Sequence, residues 1–432
     1  MTLGLSGFDA TITAAVKDGY AGELLTLEDL GFDMASADKG LVDLHTAYPI
    51  APVHDLTVDQ LRLLKADFDH YSTRRRLMLN HEEQHVLFLH ILARLADYLD
   101  RIDGLLMSNL PHQGTDAVLS RLAQIKSAPV RYLTPSIFDG YAYHSKSCDK
   151  FYKELETNAN PPQIPIDNTA KQSVTYMDPV PGVPLIKRLG SRLNTFSEFR
   201  QYSKDYAARL FLRPLLSRHF HRAYRTMSWQ KNFHPDNSGD HLNIYFPLHL
   251  QPELTTSFMG QTYTDQCLAI SALVAVLKSQ GQAFTIYVKE NPKQSFDQRQ
   301  FLHLLQSDEV IMIDRTLPSN RLIEECDVVA TITGTAGWEA VKSGKPALIF
   351  GTTWYESAPG VIVFDDLLTH KAEISKGPVD SALVNRWFSA HLSALHGGQF
   401  DPDQESFAAF FDRSVETVVG ILGEMNEGRP DR

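Results

Sequence analysis

Short apolar runs alternate with longer amphipathic stretches between Leu242 and Phe364 of this 432-residue chain. The runs predict strands at Asn243–Pro247, Phe284–Lys289, Val310–Ile313, Val328–Thr331, Ala347–Phe350 and Val361–Phe364. Helical periodicity fills the intervals, at Tyr263–Ser279, Phe296–Leu305, Ser319–Glu325 and Ala336–Ser343. Strands joined by crossover helices favour a parallel sheet. Residues 241–379 are therefore predicted to form a doubly wound α/β domain.

The N-terminal half has a less regular version of the same alternation. Helical stretches around Arg74–Leu99 precede the apolar run Gly104–Met107, and a helix at Ala117–Ser127 leads into a strand at Val130–Leu133. Residues 1–157 are predicted to form a second α/β domain. The last segment, residues 380–432, is predicted to be helical.

Residues 158–240 join the two predicted domains and have an unusual composition. Asn158–Pro184 contains six prolines and few apolar clusters, which is typical of a linker. Ile186–Lys231 carries eleven Lys and Arg against Glu198 and Asp205, interleaved with aromatic residues. This pattern indicates a basic amphipathic helix, interrupted at Pro214, for an anionic membrane surface, a phosphate-bearing acceptor or acidic faces of the same protein.

The amino-acid composition and the net charge disfavour several classes of protein. The 52 Asp and Glu outnumber the 41 Lys and Arg, and a net charge of −11 disfavours a broad nucleic-acid-binding face. The three cysteines form no CxxC pair, which suits a reducing compartment. The start lacks the pattern of a signal peptide, and no apolar run approaches the ~18 residues of a membrane span. We expect a cytoplasmic protein.

The clearest chemical signal is the turn that follows the predicted strand Val328–Thr331. Small and hydroxylated residues form it, and a helix begins immediately afterwards, so backbone N–H groups and a positive helix end point above the sheet. This geometry suits a phosphate, although the same turn also serves packing alone in many α/β domains. The predicted phosphate-binding residues are Thr333, Gly334, Thr335, Ala336 and Gly337, and Glu339 is placed to accept hydrogen bonds from ribose hydroxyls.

Two other segments follow strands at the same predicted edge of the sheet. Phe246–Glu253 follows the first strand, and Lys289–Pro292 follows the second. Because open α/β sheets bind ligands beyond the carboxyl ends of their strands, Lys289 and Glu253 are expected to converge on the turn. The structural alternatives are that Lys289 pairs with a neighbouring acid, Glu253 caps a helix, and His249 is a hydrogen-bonded core residue.

Three segments together resemble bacterial capsule polysaccharide biosynthesis proteins: Tyr245–Thr256, Tyr287–Pro292 and Thr331–Tyr355. Asn109–Asp116 is more weakly similar to the Pro-His…Asp segment of that family. The resemblance implies a GT-B glycosyltransferase, in which two Rossmann-like domains face each other across a cleft and C-terminal helices pack back across both.

The resemblance also implies that the two domains bind different substrates. The C-terminal domain would bind the nucleotide-sugar donor, with Gln251 and Asn291 joining Lys289 in the donor site, and the N-terminal domain would bind the acceptor. Relatives commonly have His-Pro where this chain has Asn291-Pro292, and that His is expected to hold the phosphate of a cytidine monophosphate donor. The donor nucleotide and sugar are therefore left open.

Glycosyl transfer needs a stabilised leaving nucleotide and, for inversion, a base for the acceptor hydroxyl. The helix end at Gly334–Gly337 and the ammonium of Lys289 can stabilise the nucleotide with no metal or other cofactor. Asp116 and His112 are the predicted catalytic residues, Asp139 is a weaker substitute, and Glu253 could serve from the opposite wall. In the structural alternative, Asp116 caps a helix and His112 lies in a turn.

A competing motif, HExxH, occurs at His81–His85 on a strongly helical stretch and would place two imidazoles on one face, as in zinc hydrolases. A later third ligand is missing, since Ile91 stands ten residues beyond His81. The pattern is therefore better explained by two histidines on a polar helix face.

The sequence as a whole favours a metal-independent glycosyltransferase of surface polysaccharide assembly. Its predicted partners are a nucleotide-sugar donor, a polysaccharide or glycolipid acceptor and, through Ile186–Lys231, the inner face of the bacterial inner membrane. The alternatives within the fold are a CDP-polyol phosphotransferase and a nucleotide-sugar 2-epimerase. A non-catalytic partner in a capsule assembly complex is the alternative of another class.

Overall fold

The computed structural model describes residues 1–38, 55–75, 81–148, 151–152, 233–236, 238–251, 256, 258–291, 304, 307–314, 316–369, 373–374, 376–402 and 406–427. The chain divides into two compact units. The first unit comprises Met1–Pro165 together with Ala390–Arg432, and the second comprises Ile166–Ser389.

The described part of the first unit alternates helices and strands. Its elements in chain order are β1 (Thr2–Ser6), α1 (Ala10–Gly19), β2 (Glu23–Thr26), α2 (Met34–Asp38), α3 (Val58–Arg75), α4 (His81–Asp100), β3 (Gly104–Met107), α5 (Gly114–Ile125), β4 (Val130–Pro135) and β5 (Tyr141–Ser145). The C-terminal residues of this unit add β12 (His396–Gly397) and α11 (Phe411–Glu427).

These strands form one six-stranded sheet in the order β12-β5-β4-β3-β1-β2. The strands from β2 to β4 are parallel, whereas β5 and β12 are each antiparallel to their neighbour. Leu3 and Leu5 of β1 pack with Val418 and Leu422 of α11 in one apolar core. The C-terminal helix thus covers one face of the N-terminal sheet.

The second unit contains the remaining elements. They are β6 (Leu242–Pro247), α6 (Gln266–Ser279), β7 (Phe284–Lys289), β8 (Val310–Ile313), α7 (Ser319–Glu325), β9 (Val328–Thr331), α8 (Thr335–Lys342), β10 (Ala347–Ile349), β11 (Val361–Val363) and α9 (Phe364–Leu368). Helix α10 (Ser381–Ser393) spans the boundary between the two units.

All strand pairs of this second sheet are parallel, in the order β11-β10-β9-β6-β7-β8. Ile244 and Phe246 of β6 pack in a core with α6, while Tyr245 packs in a second core with α7 residues. Both faces of the sheet are buried, which explains the nearly continuous apolar strands. The strand order is that of a doubly wound Rossmann sheet, and its direction of winding reverses between β6 and β9.

The predicted α/β class is confirmed for both halves. Of the six predicted strands of the C-terminal half, three have the predicted bounds, one begins one residue earlier and two end one residue earlier. Helix α6 begins at Gln266 rather than Tyr263 because the Asp265 carboxylate caps it, accepting from the backbone N of Cys267 at 2.7 Å.

Two other predicted segments need correction. The helix predicted at Ala117–Ser127 begins at Gly114, because Asp38 holds the backbone N of Thr115 at 3.0 Å. The C-terminal segment is not helical throughout, since β12 interrupts it and pairs with β5. A two-residue strand has no readable periodicity, so only the partner strand reveals it.

The predicted linker, the basic segment Ile186–Lys231 and most of the predicted helix Phe296–Leu305 lie outside the described residues. Within the described part of the chain, no helix has the length and apolar character needed to cross a membrane.

Candidate functional site

The loops after β6, β7 and β9 lie next to one another at the carboxyl edge of the second sheet. The backbone N of Leu248 donates to the carbonyl of Lys289 at 2.8 Å, which ties the loop after β6 to the end of β7. Nε2 of His249 lies 2.8 Å from Oγ1 of Thr331, which ties the same loop to the end of β9. These contacts bracket the point where the sheet reverses its winding, the usual ligand position in such folds.

The turn after β9 is open rather than enclosed. Ile332 is buried, whereas Thr333, Gly334, Thr335 and Ala336 are each partly exposed. Gly334 is the N-cap of α8 and has no side chain to cap the helix, so the first N–H groups of α8 keep the capacity to bind an anion. The predicted phosphate-binding turn is therefore reachable from solvent.

Gly334 and Gly337 also have packing reasons to be glycine. A Cβ on Gly334 would lie 2.7 Å from Oγ1 of Thr331, and one on Gly337 would lie 2.5 Å from the hydroxyl of Tyr355. That hydroxyl donates to the carbonyl of Gly334 at 2.5 Å. The buried Tyr355 thus supports the turn through a hydrogen bond, and its hydroxyl leaves no room for a side chain on Gly337.

Lys289 is the most unusual charged residue at this edge. Its side chain lies at the end of β7 and is only 6% exposed. Its Nζ donates to Oγ of Ser319, the first residue of α7, at 2.8 Å. Lys289 makes no ion pair with any described residue, so the alternative of pairing with a neighbouring acid finds no support there. Burial lowers the pKa of Lys289 to about 8.

Ser319 also contacts a tyrosine of the neighbouring strand. The hydroxyl of Tyr245, on β6, lies 3.3 Å from Oγ of Ser319. Burial raises the pKa of Tyr245, and the Glu339 carboxylate adds to that effect. Glu339 itself has an exposed side chain, and desolvation by the surrounding atoms raises the pKa of its carboxyl. Glu339 is thus within electrostatic range of Tyr245.

The loop after β6 is held by Gln266, a buried residue at the start of α6. The backbone N of His249 donates to Oε1 of Gln266 at 2.5 Å, and Nε2 of Gln266 donates to the carbonyl of His249 at 3.3 Å. Nε2 of Gln266 also lies 2.9 Å from Oε1 of Gln251, whose own amide nitrogen donates to the carbonyl of Thr264. The amide of Gln251 is therefore engaged in shaping this loop.

Of two further predicted residues, only one lies among the described residues. Asn291 is buried directly after β7 and Lys289, next to the buried Glu290. Glu253 lies outside the described residues.

The predicted catalytic pair of the first unit is brought together. Nδ1 of His112 lies 3.3 Å from Oδ2 of Asp116 and 3.0 Å from the carbonyl of Leu110, and its Nε2 lies 3.3 Å from the amide of Gln113. Both side chains are partly exposed. The pair follows β3, where the parallel strand order of this sheet reverses between β1 and β3. A carboxylate beside one ring nitrogen can orient an imidazole for proton transfer.

Asp116 is not the N-cap of α5. Gln113 occupies that position without a side-chain cap bond, and the first turn is held by the buried carboxylate of Asp38. The alternative that Asp116 caps the helix is therefore wrong, and its carboxylate contacts His112.

The HExxH segment forms the start of α4, where His81 and His85 are both exposed. Among the residues that the structure describes, no group of three His, Cys, Asp or Glu side chains is arranged to hold a metal ion. The zinc interpretation has no geometric support in this part of the molecule.

Sequence reasoning missed Gln266, Ser319, Tyr245 and Tyr355, and it weighed His249 only as a core residue. Ser319 gave a weak signal, as a hydroxylated residue that opens the helix after β8. The others give none, because each acts through a partner that is distant in sequence.

Among curated proteins, no significant sequence match to this chain was found. Two solved structures illustrate its structural likenesses. KpsC, the beta Kdo 2,7 transferase of Thermosulfurimonas dismutans, has 14% identity over 86% of this chain and 98% of that chain, with a TM-score of 0.32. UDP-GlcNAc 2-epimerase from Neisseria meningitidis, bound to UDP-GlcNAc, has 10% identity over 99% of each chain, with a TM-score of 0.22.

Both TM-scores lie below 0.5. The family model described as capsule polysaccharide biosynthesis protein matches residues 256–396. This segment contains the helix α6, the strand β7, the turn after β9 and the helix α8. The resemblance to capsule polysaccharide biosynthesis proteins is therefore confirmed over residues 256–396, about a third of the chain.

Proposed function

We propose that this protein is a glycosyltransferase that moves a sugar from a nucleotide-sugar donor to a growing capsule-type polysaccharide or glycolipid. The observation that carries the proposal is the buried ammonium of Lys289, which has no ion-pair partner among the described residues. A buried cation without a counterion is costly unless a ligand supplies the opposite charge. The nucleotide phosphate of the donor is such a ligand.

The position of Lys289 supports this choice of ligand. It lies at the carboxyl edge of a doubly wound sheet, beside the loops that meet at the reversal of strand order. The open turn before α8 offers backbone N–H groups and the positive end of a helix at the same edge. The family match covers this turn and Lys289.

The proposed reaction needs no metal or other cofactor. The acceptor hydroxyl oxygen bonds to the anomeric carbon of the sugar, and the bond from that carbon to the phosphate oxygen breaks. The electron pair stays on the leaving nucleotide, where Lys289 and the N–H groups of α8 stabilise it. In an inverting transfer, His112 takes the hydroxyl proton, and Asp116 orients its ring and stabilises the imidazolium.

The proposed location of the reaction is a membrane surface, and the composition of the basic segment Ile186–Lys231 supports it. Its excess of nine positive charges suits an anionic membrane surface, on which a glycolipid acceptor would be presented.

Isothermal titration calorimetry of the full chain with CMP, CDP, UDP and GDP tests the proposal. We expect one nucleotide to bind selectively, and Lys289→Met to weaken that binding by about 10- to 100-fold, because a charge-assisted hydrogen bond to phosphate is lost. Lys278→Met is the matched control, since Lys278 is exposed at the end of α6 and pairs with Glu309 at 2.9 Å. The absence of binding by all four nucleotides would contradict the proposal and favour a non-catalytic partner.

The reaction products distinguish a glycosyltransferase from a CDP-polyol phosphotransferase and from a nucleotide-sugar 2-epimerase. Transfer breaks the bond between sugar carbon and phosphate oxygen, so all phosphorus of the donor leaves with the nucleotide. A CDP-polyol phosphotransferase would instead release CMP and leave one phosphorus atom on the product. A 2-epimerase would convert the nucleotide sugar without any acceptor. Phosphorus NMR of the reaction mixture distinguishes these outcomes.

A further inference from the structure

The hydroxyl of Thr331 connects the turn before α8 with the loop after β6. The backbone N of Gly334 donates to Oγ1 of Thr331 at 3.1 Å, and Nε2 of His249 lies 2.8 Å from the same oxygen. Thr331 is fully buried at the end of β9. Both loops thus depend on one hydroxyl group at the site where the sheet reverses its winding.

The direction of these hydrogen bonds assigns the tautomer of His249. A backbone N–H can only donate, so Oγ1 of Thr331 accepts from Gly334. The hydroxyl hydrogen of a buried threonine also needs an acceptor, and Nε2 of His249 is the one that contacts it within the described part of the chain. Nε2 is therefore the acceptor, and the ring proton of neutral His249 is on Nδ1.

His249 stays neutral near pH 7, because burial lowers its pKa to about 4. Its Nδ1 contacts no hydrogen-bond partner among the described residues, yet it is absent from their buried unpartnered polar atoms. The residue as a whole is partly exposed. The Nδ1–H group is therefore a donor that reaches solvent.

The position of the ring is held from two sides. Gln266 contacts both the backbone N and the carbonyl of His249, so the main chain of this residue is clamped. On the other side, a Cβ on Gly334 would lie 3.1 Å from Nε2 and from Cε1 of His249. The ring thus packs directly against the N-cap of α8, where the helix presents its own N–H groups.

We infer that His249 binds the phosphate of the nucleotide donor, with Nδ1–H donating a neutral hydrogen bond to a phosphate oxygen beside the N-terminus of α8. The inference rests on the proposed function and adds a residue to its donor site. In this arrangement Thr331 is a positioning residue, since its hydroxyl holds the ring in the tautomer that places the donor on Nδ1.

Two amide substitutions separate this role from a purely structural one. Glutamine carries its amide at the level of Nε2, so His249→Gln keeps a partner for Thr331 and removes the donor at the δ position. Asparagine carries its amide at the level of Nδ1, so His249→Asn keeps that donor and loses the partner of Thr331. If His249 binds phosphate, the His249→Asn variant should have the higher ligand affinity of the two. If the ring is only structural, His249→Gln should have the higher affinity.

The experiment is calorimetry of the full chain with CMP, CDP, UDP, GDP and inorganic pyrophosphate. We expect His249→Gln to weaken binding by about 10- to 100-fold, because a hydrogen bond to phosphate is lost, with little change in melting temperature. His249→Asn should bind within about threefold of the unmodified chain while melting at a lower temperature. The reverse order of the two affinities would overturn the inference.

His241→Gln is the matched control. Nε2 of His241 lies 2.9 Å from Oγ1 of Thr285, so this residue makes the same kind of His–Thr contact before β6, at the opposite edge of the same sheet. Its substitution should leave the affinity for every probe unchanged. A loss equal to that of His249→Gln would mean that any His–Thr contact of this unit supports binding indirectly, and would overturn the inference.

The outcomes keep the two proposals apart. If a nucleotide binds and His249→Gln binds it normally, the inference fails and the proposed function stands. If pyrophosphate alone binds, in a manner that depends on His249, the proposed function fails, and of the inference only the phosphate contact of His249 stands. If no probe binds, both fail. Should either variant not fold, nitrogen NMR of the unmodified chain decides, because a proton on Nε2 of free His249 would overturn the inference.

Discussion

Nζ of Lys289 lies 2.8 Å from Oγ of Ser319, and this contact joins the end of β7 to the first residue of α7. A neutral hydroxyl shares the hydrogen bond but cannot balance the charge. The ammonium therefore enters the folded state at a cost, which is visible in the lowered pKa of Lys289. Such a charge is expected where a ligand completes the site.

Lys289→Met is expected to leave the fold intact and to raise the free energy of unfolding of the ligand-free chain. A methionine fills a similar volume without burying a charge, so the gain is up to about 3 kcal/mol if the whole pKa shift is relieved. Chemical denaturation of Lys289→Met and of Lys278→Met measures it. A marked loss of stability in Lys289→Met alone would show that the ammonium is satisfied within the protein.

The unfavourable contribution of Lys289 to the free energy of unfolding should diminish as the pH rises through the alkaline range. The folded-state pKa of Lys289 is about 8, below its ordinary value of 10.5, so the unfolded state binds more protons between these values. The destabilising effect of the buried ammonium is fully present below pH 8 and disappears as the pH rises to 10.5. The stability difference between Lys289→Met and the unmodified chain should therefore shrink across this window in denaturation at several pH values. A constant difference would contradict the assignment.

Gly337→Ala is expected to destabilise the second unit. The added Cβ would lie 2.5 Å from the hydroxyl of Tyr355, which is itself buried and bonded to the carbonyl of Gly334. Overpacking of this kind costs about 1–3 kcal/mol and would also displace the turn, so nucleotide affinity should fall as well. Gly420→Ala in α11 is the control, because its Cβ would meet nothing within 4 Å, and it should be neutral or stabilising. Thermal denaturation compares the two variants.

His112→Ala and Asp116→Asn should abolish transfer while leaving nucleotide binding intact. Removal of a general base typically costs about 10²- to 10⁴-fold in rate, and the two losses should not add, since the residues act as one pair at 3.3 Å. Asp18→Asn, at an exposed acid on α1, is the control. Turnover assays with sugar donors of the nucleotide selected by calorimetry give the rates. Independent, additive losses would argue against a shared role.

His144→Leu is expected to stabilise the first unit. His144 is buried on β5, and neither ring nitrogen has a hydrogen-bond partner among the described residues. Burial, followed by the effects of His396, Arg131 and Lys146, lowers the pKa of His144 to about 3. Because the unfolded state takes up this proton near pH 6.5 and the folded state only near pH 3, stability from this group is lost as the pH falls through that range.

The leucine variant should gain about 1–2 kcal/mol near pH 7 and unfold less readily in acid, as measured by denaturation at several pH values. His391→Leu is the contrasting variant, since Nε2 of His391 lies 3.2 Å from the hydroxyl of the buried Tyr143. Its loss should destabilise the chain. Equal effects of the two substitutions would contradict the argument.

Much of the second sheet follows from the sequence. The strands at Phe284–Lys289, Val310–Ile313 and Val328–Thr331 and the helix Ser319–Glu325 have the predicted bounds. Strands covered on both faces are nearly continuous apolar runs, so their ends are marked by the first polar or turn residue. The turn after β9 was predicted for the same reason, since small residues between a buried strand and a helix follow one another in sequence.

Contacts between distant residues could not be predicted in this way. Asp38 caps α5 from 77 residues away and moves the start of that helix by one turn relative to the prediction. His112 and Asp116, in contrast, are predicted from their place after the strand Gly104–Met107 and from the resemblance of their segment to the family, and they lie only four residues apart in the chain. Proximity along the chain thus decided which parts of the site could be inferred.

By itself, the sequence determined the order of strands and helices in the second sheet, the turn before α8 and the kinds of groups available for chemistry, because each depends on neighbouring residues. The tertiary structure alone decided that Lys289 is buried beside a hydroxyl and that His249 carries its proton on Nδ1. Both states depend on desolvation and on partners 30 and 82 residues away, which act only after the strands have assembled into the sheet.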